Sequence, residues 1–437
     1  MDIPSIKIGI IGLGVVGGGV VEVLRQNADL IALRAAAKIE LVRAADLQVE
    51  KATAILAQLG LPDVPVSADW REVVSDPQID IVVELAGGVE MPRQAVSAAL
   101  ANKKTVVTAN KDMMASCGGE LLRLAEENGA DLFFEASVAG GIPIIQAVKE
   151  SLAANRIRQL MGILNGTSNY ILTQMTENGS SFETALAQAQ ALGYAEADPV
   201  NDVEGYDAAR KIAILSSIAF NTRINESMVP VEGIGKISDW DITYAKEFGY
   251  VIKLLGLAQE TEEGVEVRVH PAMIPLSHPL AAVRHSYNAV FVNAFPLEKA
   301  MFYGRGAGGL PTASAVLGDV VNAARNIISN GRGRWACTCF LDKAVKPLDE
   351  TQSKYYIRIS AFDRPGVFAA ITGELAKQCI SIDSVIQKRR LSQESAEIVI
   401  ITHKVRHKNM ALALKKTEGL ADVMKVENVI RVEVSLD

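Results

Sequence analysis

A glycine-rich loop between a short apolar strand and a helix constrains the fold of this chain more than any other feature. The strand predicted at 6–11 leads into GLGVVG, whose G-x-G-x-x-G spacing is followed by an apolar-periodic helix at about 15–26. The first glycine permits a tight turn, the second lets a pyrophosphate approach the backbone, and the third lets helix and strand pack closely. The helix N-terminus offers N–H groups to the phosphates. The motif predicts a dinucleotide site formed by Gly12, Leu13, Gly14, Val15, Val16 and Gly17.

Further strands that alternate with helical patterns indicate an α/β Rossmann domain around this loop. We predict these strands at 39–45, 79–85, 105–109 and 131–136. The alternative is a tight βα turn that binds no ligand. We place the dinucleotide-binding domain at residues 1–140 and assign to it a return segment at about 311–340, with a predicted helix at 311–330.

Two polar residues follow predicted strands of this domain. Asp46 ends the second strand, where an acid accepts hydrogen bonds from ribose hydroxyls and disfavours a 2′-phosphate, so we expect NAD(H) to be used well. Lys111 lies just past a strand end in VVTANK, and ligands of open α/β sheets bind beyond the carboxyl ends of strands. The alternatives are a solvated strand end for Asp46 and an exposed loop lysine for Lys111.

The stretch GYAEADPVNDVEGYDAARK, residues 193–211, is rich in carboxylates. A helix predicted at about 203–220 places Asp207 and Lys211 at i and i+4 on one face, and this face continues with the apolar Ile214, Leu215 and Ile218. A partly buried charged pair costs desolvation energy, which favours a functional site. The alternative is a surface ion pair worth ~0.2–0.5 kcal/mol. Glu196 can reach the same space if its loop folds over the helix start.

The rest of the chain predicts two further domains. From 141 to 310, helices and strands follow in no βαβ order, which indicates an α+β domain. The polar, proline-containing segment 341–353 predicts a linker. Residues 354–437 show the order βαββαβ, a ferredoxin-like pattern that we expect to form a regulatory module.

Composition excludes several classes of function. A chain of 437 residues is too long for one hydrophobic core. The net charge of −7 argues against nucleic acid or anionic membrane as a partner, and no run of about 18 uncharged apolar residues is present. The spacing of the four cysteines fits neither a zinc site nor a dense disulfide framework, so we expect a cytoplasmic protein.

Several segments together resemble homoserine dehydrogenases. They are IGLGVVGGGV, VVELAGG, VVTANK, FEASVAGGIPII, ILNGTSNYIL, LGYAEADPVNDVEGYDAARKIAIL and YGRGAGGLPTASAVLGD. The tail resembles an ACT domain, with DRPGV in its first turn. The resemblance implies reduction of aspartate 4-semialdehyde to homoserine with NAD(P)H, on the route to threonine, isoleucine and methionine. It also implies a homodimer or homotetramer, a catalytic and dimerisation role for 141–310, and L-threonine as an effector bound near residues 363–367.

The resemblance also implies catalytic and substrate-binding residues. The catalytic lysine of the family falls on Lys211, and its aspartate partner falls on Asp207. Lys111 is implied near both cofactor and substrate. The substrate is implied to contact Glu196 and Asp202 as well as Asp207.

Cofactor and cation contacts follow from the same resemblance. Cofactor contacts beyond the glycine loop fall on Gly193 and Gly308. A monovalent cation, Na⁺ or K⁺, is implied to be held mainly by backbone oxygens of Glu135, Val138, Gly140 and Ile142.

Two other functions are compatible with parts of the sequence. An aldehyde-oxidising dehydrogenase would use Cys117 as its nucleophile and would need a base beside that thiol. A non-catalytic nucleotide- and amino-acid-binding sensor would leave Asp207 and Lys211 without a role.

Overall fold

The computed structural model describes residues 3–331, 337–387 and 394–433. The strands are β1 Ser5–Ile11, β2 Lys38–Ala45, β3 Val66–Ser67, β4 Ile81–Glu84, β5 Thr105–Thr108, β6 Leu132–Phe133, β7 Arg156–Ile163, β8 Tyr250–Thr261, β9 Gly264–Pro275, β10 Tyr287–Phe295, β11 Glu298–Arg305, β12 Gln352–Phe362, β13 Ile382–Ile386, β14 Ser395–Thr402, β15 Val405–Arg406 and β16 Val423–Val432. The α-helices are α1 Val15–Gln26, α2 Ala28–Ala35, α3 Val49–Gln58, α4 Arg71–Ser75, α5 Glu90–Ala101, α6 Lys111–Glu127, α7 Ile144–Gln146, α8 Gly166–Asn178, α9 Phe182–Ala191, α10 Val200–Val203, α11 Tyr206–Ala219, α12 Asp239–Glu247, α13 Gly309–Ile328, α14 Val367–Lys377 and α15 His407–Glu418.

The chain forms two compact units that each combine distant segments. The first contains Met1–Arg156, Ala213–Glu226 and Phe302–Asp342, and the second contains Ile157–Ile212, Ser227–Met301 and Lys343–Asp437. The domain boundaries expected from the sequence stay predictions. Of the helices that the structure describes, none is both long and apolar enough to cross a membrane.

The first unit is a Rossmann domain, as the glycine loop predicted. Its six parallel strands lie in the order β3-β2-β1-β4-β5-β6, which is the order of dinucleotide-binding folds. Strands β4 and β5 are buried along their whole length, as expected for a parallel sheet covered on both faces. The strand predicted at 131–136 is shorter, because the chain turns into a 3-10 helix at Glu135–Ser137.

Helix α13 returns to this unit and packs against it through buried apolar residues. Val316 and Val320 lie in the same core cluster as Ile8 and Val20. The helix ends near the predicted residue 330, because Asn330 adopts a left-handed conformation (φ +51°) and the N–H of Gly331 bonds to the carbonyl of Asn326 at 2.7 Å. This pairing satisfies carbonyl groups that a helix C-terminus leaves open.

A ten-stranded sheet, most of which belongs to the second unit, has the order β11-β10-β7-β8-β9-β16-β12-β14-β13, and β15 pairs with β12. The C-terminal part has the predicted βαββαβ order, with the short β15 added before its second helix. Its last strand joins the preceding part of the sheet directly, since Arg431 and Val432 of β16 pair with Ala272 and Met273 of β9 in parallel. One sheet therefore runs through the α+β region and the C-terminal region.

Buried charges connect the same two regions. Arg358 of β12 contacts Asp241 of α12 at 2.8 Å and Glu397 of β14 at 2.9 Å. Arg268 of β9 contacts Glu433 at 2.9 Å, next to the end of β16. Removing one partner of such a pair lowers the stability of the fold strongly, because the remaining charge stays buried without a counter-charge.

The segment predicted as a linker is docked onto the second unit. The N–H of Val265 donates to the carbonyl of Ala344 at 2.9 Å, and the N–H of Lys346 donates back to the carbonyl of Val265 at 2.8 Å. These two hydrogen bonds hold part of the segment against β9.

Candidate functional site

The glycine loop has the geometry that its spacing requires. Gly12 has φ +95°, and a Cβ there would lie 2.8 Å from the carbonyl carbon of Leu85. A Cβ on Gly17 would lie 2.2 Å from the carbonyl oxygen of Gly12. At Gly14, a Cβ would meet no atom of the described residues within 4 Å. The loop is therefore closed towards the protein at Gly12 and Gly17 and open at Gly14, where a phosphate can approach the start of α1.

Asp46 braces the glycine loop from the end of β2. One carboxylate oxygen accepts from the N–H of Leu13 at 2.7 Å, and the other accepts from the N–H of Gln48 at 2.8 Å. The predicted role of Asp46 towards a ribose stays a prediction. The structure adds a second role, which is to fix the turn that carries the loop.

Gly308 lies next to the same loop. It precedes α13 with φ +120°, a backbone conformation that is accessible almost only to glycine. At the following Gly309, a Cβ would lie 3.0 Å from the carbonyl oxygen of Val15. The start of α13 therefore reaches the start of α1, where the cofactor is expected.

A buried carboxyl group organises the neighbouring strand end, and sequence reasoning missed it. Glu84 ends β4 and is fully buried. Its two oxygens accept from the Thr108 hydroxyl at 2.6 Å and from the N–H of Ala86 at 2.7 Å. Because ligands bind where the strand order reverses, between β1 and β4, Glu84 holds the backbone beside the expected cofactor site. The sequence feature that could have identified Glu84 is a carboxylate within the otherwise apolar segment VVEL.

Asn110 continues this network to Lys111. Its amide nitrogen donates to the carbonyls of Ala86 at 3.1 Å and Gly88 at 2.8 Å, and its oxygen caps α6 by accepting from Met113 at 2.9 Å. Lys111 is the first residue of α6 and is half-buried. The structure thus places Lys111 at a positive helix terminus beyond the carboxyl end of β5.

The Glu84 carboxyl group makes the stability of the first unit depend on pH. Burial raises the pKa of Glu84 from 4.5 to about 7. The native state therefore binds more protons than the unfolded state between these values, and stability falls as pH rises through this window. Glutamine cannot ionise, and the Thr108 hydroxyl can turn to accept from its amide. As pH rises from 5 to 8, we expect the free energy of unfolding of Glu84→Gln to increase by roughly 3 kcal/mol relative to that of the wild type. Paired thermal unfolding curves at each pH measure this difference.

Glu90 provides the matched control for this prediction. It is exposed, and a hydrogen bond from Gln94 lowers its pKa, so Glu90→Gln should show only a small change of the opposite sign. A constant difference in melting temperature between Glu84→Gln and the wild type from pH 5 to pH 8 would contradict the assignment.

The structure confirms that Asp207 and Lys211 form a pair on one face of α11. The Lys211 Nζ donates to Asp207 Oδ2 at 2.7 Å and to the carbonyl of Leu164 at 2.8 Å. The two side chains are only 11% and 9% exposed. This is a buried ammonium held in position from two sides, and the surface-pair alternative is therefore wrong.

Asn165 joins the two aspartates, and sequence reasoning missed this residue as well. Its amide donates to Asp202 Oδ1 at 2.6 Å and to Asp207 Oδ2 at 2.9 Å, while its oxygen caps α8 by accepting from Ser168 at 2.8 Å. Burial, together with the nearby Asp207, raises the pKa of Asp202. The NGTS segment after β7 indicates a turn and a helix start, but nothing local in it indicates the contacts to Asp202 and Asp207.

Glu196 and Gly193 lie in the loop between α9 and α10. The Glu196 side chain is exposed, and its backbone carbonyl accepts from the Gln190 amide at 3.1 Å. Gly193 has φ +73° and donates to the carbonyl of Gln190 at 3.0 Å. The structure does not bring the Glu196 carboxylate to the Lys211 ammonium, and both predicted ligand contacts stay predictions.

The turn expected to hold a cation reverses the chain over two left-handed residues. Ala139 has φ +56° and Gly140 has φ +48°. The Glu135 carboxylate accepts from the N–H groups of Ile145 at 2.8 Å and Gln146 at 2.7 Å, which leaves backbone carbonyls as the natural ligands. Among the residues that the structure describes, no group of three or more His, Cys, Asp or Glu could hold a metal ion. The predicted cation contacts of Glu135, Val138, Gly140 and Ile142 stay a prediction.

Cys117 lacks the features of a catalytic nucleophile. Its thiol donates to the carbonyl of Met113 at 3.2 Å within α6, and burial raises its pKa. A raised pKa lowers the thiolate fraction that attacks an aldehyde, so the geometry disfavours the aldehyde-oxidising alternative.

Known proteins match nearly the full length of the chain. The family profile "Homoserine dehydrogenase, NAD binding domain" matches residues 12–135, "Homoserine dehydrogenase" matches 143–321, and "ACT domain" matches 355–422. The chain is 46% identical over 433 residues to the homoserine dehydrogenase of Neisseria gonorrhoeae, with 98% of each chain covered.

Solved structures agree with these sequence matches. The crystal structure of a homoserine dehydrogenase from Thiobacillus denitrificans is 44% identical, with a TM-score of 0.93 and 98% of each chain covered. A hyperthermophilic archaeal homoserine dehydrogenase mutant in complex with NADPH is 25% identical, with a TM-score of 0.62, and covers 73% of this chain and 97% of its own. With its Rossmann domain, catalytic region and ACT domain all matched, the chain belongs to the homoserine dehydrogenases, a family of NAD(P)-dependent oxidoreductases.

Proposed function

We propose that this chain reduces L-aspartate 4-semialdehyde to L-homoserine and that Lys211 supplies the proton. The observation that carries the proposal is the buried ammonium fixed by Asp207 at 2.7 Å and Leu164 at 2.8 Å. An ammonium has three N–H donors, and the remaining one can reach a substrate. The bound nicotinamide would supply a hydride to the aldehyde carbon.

The other site residues fit distinct parts of the substrate. Negative charge grows on the carbonyl oxygen during hydride transfer, and a positioned donor stabilises it. Asp207 orients Lys211, while Glu196 and Asp202 provide carboxylates for the substrate ammonium. Lys111, at the positive N-terminus of α6, stabilises negative charge on the substrate carboxylate or on the reacting oxygen.

A spectrophotometric assay of the reverse reaction tests this function. Reduction of NAD⁺ or NADP⁺ at alkaline pH should depend on added L-homoserine, because alkaline conditions favour proton release. Parallel assays in buffer stripped of Na⁺ and K⁺, with each ion restored separately, test the cation. A lack of homoserine-dependent signal with both cofactors in every ionic condition would rule out the proposal.

We propose that the cation binds at the turn 135–142 through the carbonyls of Glu135, Val138, Gly140 and Ile142. Hard cations prefer oxygen ligands, and the consecutive left-handed residues let successive carbonyls converge. Its role would be to fix this turn, which Glu135 also ties to the start of α7 through two hydrogen bonds.

We expect NAD(H) to be used at least as well as NADP(H), because the Asp46 carboxylate repels a 2′-phosphate. A hyperthermophilic archaeal homoserine dehydrogenase mutant was solved in complex with NADPH, so use of NADP(H) is the competing expectation. Comparison of kcat/KM for the two cofactors checks the expectation. Asp46→Asn should shift the ratio towards NADP(H) and still accept from Leu13 through its amide oxygen. A strong NADP(H) preference in the wild type would count against it.

We expect L-threonine to inhibit the enzyme by binding near Asp363–Val367 in the ACT domain. Gly366 has φ +94° and lets a ligand approach the backbone ahead of α14. A coupling of ~1–3 kcal/mol corresponds to a change of several-fold to about a hundredfold. Inhibition curves should weaken for Gly366→Ala, which strains the turn. Gly373→Ala, on the same helix and with open space around it, should keep the wild-type curve. Full activity in millimolar threonine would contradict this regulation.

We also propose that the enzyme works as a cytoplasmic homodimer or homotetramer. The edge strand β11 and its turn expose Leu297, Met301 and Tyr303, which are 41%, 41% and 52% exposed. An apolar sheet edge is a common place for association. Sedimentation analysis of the wild type and of Met301→Lys distinguishes an oligomer built on this edge from a monomer.

A further inference from the structure

Two cysteines that the dehydrogenase reaction does not use form a cluster with an arginine in the first unit. Arg223 Nη2 donates to the Cys337 sulfur at 3.3 Å, and the N–H of Cys339 donates to the same sulfur at 3.4 Å. The Cys339 sulfur in turn lies 3.6 Å from the carbonyl oxygen of Ser217 in α11. A sulfur that receives donors, one of them from a cation, is stabilised as a thiolate.

The position of the arginine depends on a glycine in a neighbouring helix. A Cβ on Gly119 would lie only 1.6 Å from Arg223 Nη1, so no other residue fits beside this guanidinium. Gly118 and Gly119 lie together inside α6, where each glycine costs about 1 kcal/mol relative to alanine. The two glycines lower the stability of α6, and the missing side chain at Gly119 leaves room for the guanidinium to reach Cys337.

A small cavity adjoins the two thiols. Its volume is about 40 Å³, and its lining includes Phe134, Lys149, Arg223, Cys337 and Cys339. A water needs ~10–15 Å³ by the same measure, so a small polar molecule such as hydrogen peroxide fits. Lys149 adds a second positive charge that interacts with Cys337.

These contacts shift the pKa values of the two thiols in opposite directions. The hydrogen bond from Cys339, together with Arg223, lowers the pKa of Cys337 to about 5 despite partial burial. The pKa of Cys339 is raised by its bond to the Cys337 sulfur and by burial. One thiolate and one thiol therefore lie side by side, which is the arrangement of an attacking and a resolving cysteine.

We propose that Cys337 and Cys339 are a modification site that reacts with small hydroperoxides and closes to a disulfide. The Cys337 thiolate attacks one peroxide oxygen, the O–O bond breaks, an S–O bond forms, and the leaving oxygen departs as water or alcohol after taking up a proton. Sulfur loses two electrons, which the peroxide gains. The Cys339 sulfur then attacks Cys337, the S–S bond forms, and water leaves with the oxygen of the sulfenic acid and the thiol proton.

Competitive alkylation of the full chain tests the reactivity without any variant. At pH 7, iodoacetamide should modify Cys337 roughly tenfold faster than the exposed Cys379, as measured by peptide mass spectrometry after short labelling times. Arg223→Leu should bring the Cys337 rate close to that of Cys379. Equal or slower labelling of Cys337 in the wild type would overturn the proposal, whether or not the Arg223 variant folds.

Oxidation of the native enzyme tests the second step. One equivalent of hydrogen peroxide should remove two hydrogens from the peptide that contains Cys337 and Cys339. In Cys339→Ser, dimedone should trap a sulfenic acid at Cys337, and in Cys337→Ser neither product should form. Preferential oxidation of Cys379, or an unmodified Cys337 in Cys339→Ser, would contradict the assignment.

Discussion

Replacing Lys211 by alanine is expected to lower kcat by about 10²–10⁴-fold, the usual contribution of a general acid, while nucleotide affinity stays nearly unchanged. The side chain is 11% exposed and is held by Asp207 and by the carbonyl of Leu164. Lys211 and the glycine loop belong to different compact units of the chain, so the loop should keep its structure. Steady-state kinetics and a fluorescence titration with NAD(P)H measure the two quantities separately.

Two further variants separate chemistry from folding. The Lys211 variant leaves the Asp207 charge buried without its ammonium, which lowers stability, so Asp207→Asn combined with Lys211→Ala should restore the melting temperature and not the activity. Arg210→Ala is the matched control, because Arg210 is adjacent and bonds to Asn201 at 3.1 Å instead. If the alanine variant keeps more than about half of the wild-type kcat, Lys211 is not the general acid.

Arg358→Met is expected to destabilise the second unit by about 3–5 kcal/mol, since it leaves two buried carboxylates without their cation. Asp241 and Glu397 are 0% and 1% exposed, and Arg358 contacts both within 3 Å. Methionine keeps most of the side-chain volume and removes the charge. Urea unfolding monitored in the second unit should show a lower midpoint concentration. The slope of the unfolding free energy against urea concentration should stay unchanged.

The Arg364→Met variant provides the comparison within the same domain. Arg364 is 57% exposed and lies 3.7 Å from Asp422, so its loss should cost at most ~1 kcal/mol. Adding Asp241→Asn and Glu397→Gln to the Arg358 variant should recover part of the stability, because neutral partners no longer repel each other. An Arg358 variant as stable as the Arg364 variant would show that the network is dispensable.

The local features of both sites could be predicted from the sequence because each depends on neighbours in the chain. Gly12 and Gly17 contact each other within one turn, and their spacing determines the loop. Asp207 and Lys211 are one helical turn apart, so periodicity alone places them on one face. The order of elements, read from hydrophobic periodicity, was sufficient for the Rossmann and ferredoxin-like regions.

The long-range contacts had no local signal. Glu84 reaches Thr108, and Asn165 reaches Asp202, across gaps in sequence that only the fold closes. The pairing of Arg431 with Ala272 joins two strands that are far apart in the sequence, and strand propensities do not encode which distant strand becomes the neighbour. The C-terminal region therefore looked like an independent module, although it completes a sheet begun about 160 residues earlier.

The parallel pairing of β16 with β9 has a consequence for synthesis on the ribosome. Strand β9 ends at Pro275, and its partner is complete only at Val432. At roughly 5–20 residues per second, one edge of β9 waits on the order of 8–30 s for its neighbour. An unpaired strand edge is a template for association with other chains. Nascent or prematurely terminated chains should therefore be the form of this protein that aggregates and depends most on chaperones, even though the finished sheet is closed at this position.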